Sequence, residues 1–184
     1  MTALFAERGY QAVTMRAIGR EAGCSAMTPY RYFAGGKAEI FAMVKAGAFR
    51  AFAEQQEKAG SGTHDPLERV WALGRAYVDF GLRNRDAYRV MFQLRRTDDT
   101  VYPELAREER RAWLPLRSAV EAAVNEGALA GDAGDLAHLF WAKVHGLVSL
   151  HLAGKLKQGR SIDQLVRSMT SGWIVTGGER RSTA

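Results

Sequence analysis

Apolar residues recur at three- and four-residue intervals along almost the whole chain, and no segment sustains an alternation of apolar and polar positions. A period near 3.6 belongs to an amphipathic helix and a period of two to a half-buried strand. The pattern predicts an all-α fold of about nine helices with no sheet. One segment sharpens the constraint. Residues 133–156 are apolar almost all round, and a helix without a polar face must be covered on several sides. One monomer has too little other helix to cover it, so a second copy is expected.

The composition can support such a core. Of 184 residues, 47% are hydrophobic and only four are proline, which argues against disorder. Cys24 is the only cysteine. It cannot form an internal disulfide, which fits a reducing cytoplasm. No uninterrupted apolar run reaches the ~20 residues a membrane span needs, and no signal peptide is recognisable. The formal charge is +6, unevenly placed. Residues 1–50 carry seven basic groups (Arg8, Arg16, Arg20, Arg31, Lys37, Lys45, Arg50) against three acids (Glu7, Glu21, Glu39). A basic head on a near-neutral body points to a polyanionic partner for the head.

Local signals divide the chain. Helix 1 is expected to reach Arg8, with Gly9 as a left-handed cap. Helix 2 follows Thr14, whose hydroxyl can cap it, and ends at Gly23. Ser25 caps a short helix 3 to about Tyr32; the alternative is that Thr28 caps and Pro29 is the first helical residue. Helix 4 spans about Lys37 to Lys58, and a Gly/Ser-rich loop follows. Helix 5 opens on Asp65-Pro66-Leu67-Glu68, a capping signature, and runs to about Arg83. Helix 6 covers roughly Asp86 to Leu94. Helix 7 runs from Pro103 to Gly127, with Pro115 expected to kink it. Helix 8 begins after Asp132 and extends to Leu156, and helix 9 follows Ser161. The domains are expected at 1–45 (head), 46–176 (body) and 177–184 (flexible tail).

The segment Thr14 to Phe33, TMRAIGREAGCSAMTPYRYF, carries the function. Two short helices flank Gly23-Cys24-Ser25. Glycine permits the positive φ that a sharp interhelical turn requires. Small Gly19 and Ala22 let the helices approach, while Met15, Ile18, Cys24 and Phe33 fill the wedge. This is the construction of a helix-turn-helix, whose second helix enters a major groove.

With LFAERGY at 4–10, TMRAIGREAGCS and TPYRYF, the first 45 residues resemble the DNA-binding head of the tetracycline-repressor (TetR) family. The resemblance implies that Thr14 and Ser25 open helices 2 and 3 beside the DNA backbone. It implies that Arg16 reaches a guanine edge, that Ala26, Met27 and Thr28 face bases, and that Tyr30, Tyr32 and Lys37 reach phosphates beside Arg31. Cys24 reads as packing rather than as a redox sensor. Three features depart from the family pattern: a short helix 1, so no arm contacts are assigned; Pro29 in place of the usual leucine; and one extra residue in Ala34-Gly35-Gly36 before Lys37.

In the body, Trp-Ala-Lys-Val-His-Gly at 141–146, with YRVMF at 88–92, resembles the TetR C-terminal subtype named for its Trp-His-Gly signature. The resemblance implies a helical domain that binds an inducer and dimerises. Trp71, Tyr77, Phe80, Tyr88, Met91, Phe92, Trp113, Phe140 and Trp141 are bulky enough to leave an apolar cavity, with His145 as a polar group in it. Dimerisation is expected on helices 8 and 9, through Gly146, Ser149, Leu150, Ala153, Leu165, Met169 and Trp173. Two-fold symmetry would then match a palindromic operator on double-stranded DNA. Ile40, Phe41 and Val44 would make helix 4 a rigid lever from head to body.

Three other readings compete. The same docking could recruit polymerase and activate rather than repress. The body could be a protein-interaction module without an inducer. An enzyme would need a catalytic signature, and no HExxH, nucleophile elbow, Walker loop or dinucleotide fingerprint is present. His138 and His145 stand two turns apart on helix 8, too far to share a metal as neighbouring-turn ligands. No metal or cofactor is expected.

Overall fold

A computed structural model describes residues 1–94, 101–156, 159, 161–172 and 174. The elements are α1 (Thr2–Ala12), α2 (Met15–Glu21), α3 (Thr28–Tyr32), α4 (Gly36–Gly60), α5 (Pro66–Arg83), α6 (Arg85–Tyr88) with a π-helical turn (Arg89–Gln93), α7 (Pro103–Asn125), α8 (Ala133–Leu152) and α9 (Ile162–Ser168). Among the described residues, extended pairing amounts to one isolated bridge, Leu129 with Ile174. The all-α expectation holds. Trp173 and the 177–184 tail lie outside the described residues.

Helix starts follow cap chemistry. Thr14 Oγ1 accepts from Ala17 N at 3.2 Å, Asp65 Oδ1 from Glu68 N at 2.8 Å and Asp132 Oδ1 from Asp135 N at 2.9 Å. Ser161 and Gln164 form a reciprocal capping box. Each satisfies amides that the first turn leaves without an intrahelical partner.

Several boundaries differ from expectation. Gly9 breaks α1 as expected, with a non-helical φ 72° and ψ 158°, but a further helical stretch follows it to Ala12. Helix 6 gives way to a π-helical turn after Tyr88. α8 stops at Leu152 rather than Leu156. Gly154 takes φ +66°, and the bonds Gly154 N to His151 O and Lys155 N to Leu150 O close a Schellman motif. α7 passes through Pro115 as one helix. α3 begins at Thr28, not after Ser25, because Pro29 fills the first turn with its fixed φ and absent N–H.

The chain forms two compact units, Met1–Glu54 with Arg83–Ala112, and Gln55–Leu82 with Trp113–Ala184. Arg83–Ala112 thus packs within the unit that holds the N-terminal helices, and α4 contributes residues to both units. The reason lies in the first unit's core. Val90, from the π-helical turn, is buried with Phe5, Val13, Ile18 and Phe41. The Phe41 ring meets Phe5 at 4.9 Å and Tyr10 at 5.1 Å, separations typical of favourable aromatic pairs. The second unit's core joins Val70 and Leu73 of α5, Leu116 and Val120 of α7, and Leu136 and Phe140 of α8.

Candidate nucleic-acid interface

The turn between α2 and α3 is set by two backbone bonds. Gly23 N donates to Arg20 O at 3.1 Å and Cys24 N to Gly19 O at 2.8 Å, with Gly23 at φ +67°. This is again a Schellman closure, and it needs glycine at the left-handed position. Gly19 is equally constrained, since a Cβ there would stand 2.9 Å from Ser25 O and 3.1 Å from Ala26 Cα. The turn therefore presses directly on α2, as the small-residue pattern predicts.

Beyond the turn, side chains point outward. Met27 is 68% exposed, Tyr30 52% and Tyr32 73%; Ser25 and Arg31 are also exposed, and Ala26 and Thr28 are partly so. Ser25 does not cap α3 with its side chain. Its hydroxyl pairs with that of Thr28 at 2.9 Å, while its carbonyl accepts from Thr28 N. Pro29 anchors the segment inward, where it is buried. On α2, Thr14 and Arg16 are exposed. Met27, Tyr30 and Tyr32 are thus exposed close together on one short segment of a head with an excess of basic residues.

Lys37 stands differently from the other basic residues of the head. Its Nζ donates to Tyr10 O at 2.9 Å and to Gln11 O at 3.4 Å, and lies 4.4 Å from the Tyr10 ring centroid. This ammonium braces the end of α1, which no local sequence signal announces. An apolar cavity of about 390 Å3 is lined by Ile18, Cys24, Pro29 and Phe33 among others; Cys24 is partly buried there.

Sequence reasoning missed an ion network in the same unit. Glu108, with 3% of its side chain exposed, is met by Arg107 at 2.9 Å, Arg50 at 3.4 Å and Arg111 at 3.4 Å. Arg50 also pairs with Glu104. The hydrogen bond from Arg107 leads in holding the Glu108 carboxyl below its ordinary range, against the opposing effect of burial. The hydrogen bond to Glu104 leads in raising Arg50. The i, i+3, i+4 spacing of Glu104, Arg107, Glu108 and Arg111 was visible as a charge pattern; Arg50, 58 positions from Glu108, was not.

The ten residues expected to line a pocket do not gather in one unit. Tyr88, Met91 and Phe92 belong to the first, where the Tyr88 and Phe92 rings lie 5.0 Å apart; the other seven belong to the second. Phe140 is core. Trp71 Nε1 donates to Thr170 Oγ1 at 2.9 Å, which ties α5 to the chain after α9. Tyr77 and His145, 68 positions apart, do meet, with Tyr77 Oη and His145 Nδ1 2.9 Å apart. Ser149 Oγ approaches His145 Nε2 at 3.5 Å, and the Trp141 ring lies 6.4 Å away. Burial lowers the His145 pKa, so the imidazole is neutral at pH 7.

Of the expected dimer residues, Gly146, Leu150, Leu165 and Met169 line one open groove of about 450 Å3 on α8 and α9. Lys143 Nζ, its pKa lowered by burial, donates to Met169 O at 3.0 Å and joins the two helices. Leu139 and Leu150 are half exposed. Among the described residues, nothing covers this face of the nearly all-apolar helix. Ser149 and Ala153 lie on α8 and at its C-terminal cap.

Sequence comparison decides the family. Residues 70–172 match the family model described as tetracyclin repressor-like, C-terminal domain, and residues 2–44 match that of bacterial regulatory proteins, tetR family. The chain belongs to the TetR family. It is thus a DNA-binding transcriptional regulator, and its helix-turn-helix is the one built at Thr14–Tyr32. The C-terminal match is to the tetracyclin repressor-like domain in general and says nothing for or against the Trp-His-Gly subtype.

Solved TetR-family structures share the fold. PfmR from Thermus thermophilus has a TM-score of 0.69 at 18% identity, over 92% of each chain. A TetR-family regulator from Marinobacter aquaeolei has 0.74 at 18%, over 95% of this chain and 92% of that one. The ketosteroid transcriptional regulator KstR2 of Mycobacterium tuberculosis has 0.69 at 20%, over 95% and 91%. None of the curated proteins compared matches the sequence. No helix among the described residues is long and apolar enough to cross a membrane.

Proposed function

We propose that this TetR-family regulator is a homodimeric repressor, acting in the cytoplasm, that leaves a palindromic operator when a small molecule binds its C-terminal half. The observation that carries the reading is the outward presentation of Met27, Tyr30 and Tyr32 on a head whose first 50 residues are predominantly basic. Ala26, Met27 and Thr28 read base edges, Arg16 adds a guanine contact, Thr14, Tyr30, Arg31 and Tyr32 hold phosphates, and Ser25 stands beside the backbone. Lys37 acts on DNA chiefly by fixing α1 against α4. Phosphate contacts position the head and base contacts select the site.

The two-fold partner covers the α8–α9 face. Leu150, Leu165 and Met169 supply apolar area, and Gly146 allows close approach. Two copies of α8 and α9 make a four-helix interface. For the effector, Tyr77, His145 and Trp141 form the polar and aromatic cluster that best fits a recognition site. Both ring nitrogens of the neutral His145 already face hydroxyls, so an effector would engage it by replacing Tyr77 or Ser149 as its partner. Coupling of about 1–3 kcal/mol between effector and DNA suffices to change operator affinity roughly 5–150-fold. This is a regulator's binding chemistry rather than a catalyst's.

Footprinting on DNA flanking the protein's own gene tests the reading, first across salt concentrations and then with a small-molecule collection. The expected result is a protected palindrome that weakens steeply with salt and is released by a compound that also raises the melting temperature. If compounds that stabilise the protein all leave the footprint intact, the effector reading fails. A footprint without two-fold symmetry would exclude the dimeric reader.

A further inference from the structure

The leading turn of the recognition segment is chemically one-sided. Between Ser25 and Pro29 the hydrogen-bonding side chains are two hydroxyls, and they bond each other at 2.9 Å. Pro29 has no N–H and is buried. The longest side chain of that stretch is Met27, 68% exposed, with only a weakly accepting thioether sulfur. One turn on, Tyr30 stands exposed at i+3 on the same side of the segment. The edge is therefore apolar at its tip, although the surrounding head is basic.

Base pairs differ in what they offer such an edge. Guanine, cytosine and adenine present acceptors and donors in the major groove, and covering these with a thioether leaves them without partners, which is costly. Thymine alone adds an apolar group, its C5-methyl. We propose that Met27 selects for a thymine in each operator half-site by packing on that methyl group, with hydrogen-bonded readout supplied from outside the turn. The proposal rests on the reading that residues 25–28 enter the major groove. The basic surface brings the backbone of the same duplex to the segment, and the apolar tip is continuous with the family's DNA-binding surface.

The test uses the intact protein. An operator is first selected from random duplexes. Each thymine of a half-site is then replaced in turn by deoxyuridine, which pairs identically and lacks only the methyl. At one thymine per half-site the loss of the methyl should weaken binding about fourfold, the effect of uncovering one methyl-sized group. Met27→Ala should abolish that difference, and Met27→Leu should restore it. Both variants should melt with the parent, because the side chain is mostly in solvent. If every deoxyuridine duplex binds as well as its parent, or if the drop survives in Met27→Ala, the proposal is overturned while sequence-specific binding stands. If selection enriches no sequence at all, the reading beneath it falls as well.

Discussion

Gly19 shows how much a single missing methyl group decides. The Schellman closure at Gly23 brings Ser25 and Ala26 onto α2, and only a hydrogen on Gly19 leaves room. Gly19→Ala forces the turn to move away from α2 by several tenths of an ångström. Overpacking of this kind costs about 1–3 kcal/mol, and denaturant melts should show it. DNA affinity should fall further than stability does, because the displaced segment is the one that reads DNA. In the second unit Gly74 is in the same position, with an added Cβ 2.8 Å from Phe140 Cζ and 2.9 Å from Val166 Cγ1. Gly74→Ala should lower stability by a similar amount and leave the head's turn unchanged. Two titratable residues make stability depend on pH. His145 has a folded pKa below its ordinary 6.5. The unfolded chain therefore binds the proton first, and stability falls as pH drops below about 6.5. His145→Gln should flatten that limb in melts recorded from pH 8 to 5. The depressed Glu108 carboxyl acts lower. Its contribution is present above the ordinary carboxylate pKa and is lost as pH falls through the folded value. Glu108→Gln should therefore destabilise at pH 7 and make little difference near pH 2.

At the scale of the element, what could be read in the sequence was what is decided locally. The caps at Thr14, Asp65, Asp132 and Ser161 were legible because a hydroxyl or carboxylate needs only the next three residues to do its work. The start of α3 was less so, since Ser25 and Pro29 gave competing signals and proline prevailed. The grouping of Arg83–Ala112 with the head was illegible. It depends on Val90 joining the same buried cluster as Phe5 and Ile18, more than 70 positions away, which periodicity does not encode. Tyr77 was named for its bulk and His145 for its polarity, but nothing in the chain announced their bond. Helix α8 was the most informative element. Its excess of apolar surface foretold the uncovered face that includes Leu139 and Leu150. Leu150→Glu should place a charge in the centre of that face, convert the dimer to monomer in sedimentation velocity and leave the helical circular dichroism of the monomer largely intact. An unchanged dimer would move the interface elsewhere.

For the whole molecule, a basic reader and a partly apolar body work together through the family's logic of paired heads. A dimer converts two modest head–DNA contacts into one strong one, because the second head binds at high effective concentration. Much of the affinity should be electrostatic and therefore sensitive to salt. The most direct test is sedimentation equilibrium of the intact protein with a duplex carrying its selected palindrome, repeated over a series of salt concentrations. Paired basic heads predict two chains per duplex and an affinity that falls steeply and linearly on a log–log plot against salt. One chain per duplex, or an affinity indifferent to salt, would contradict them.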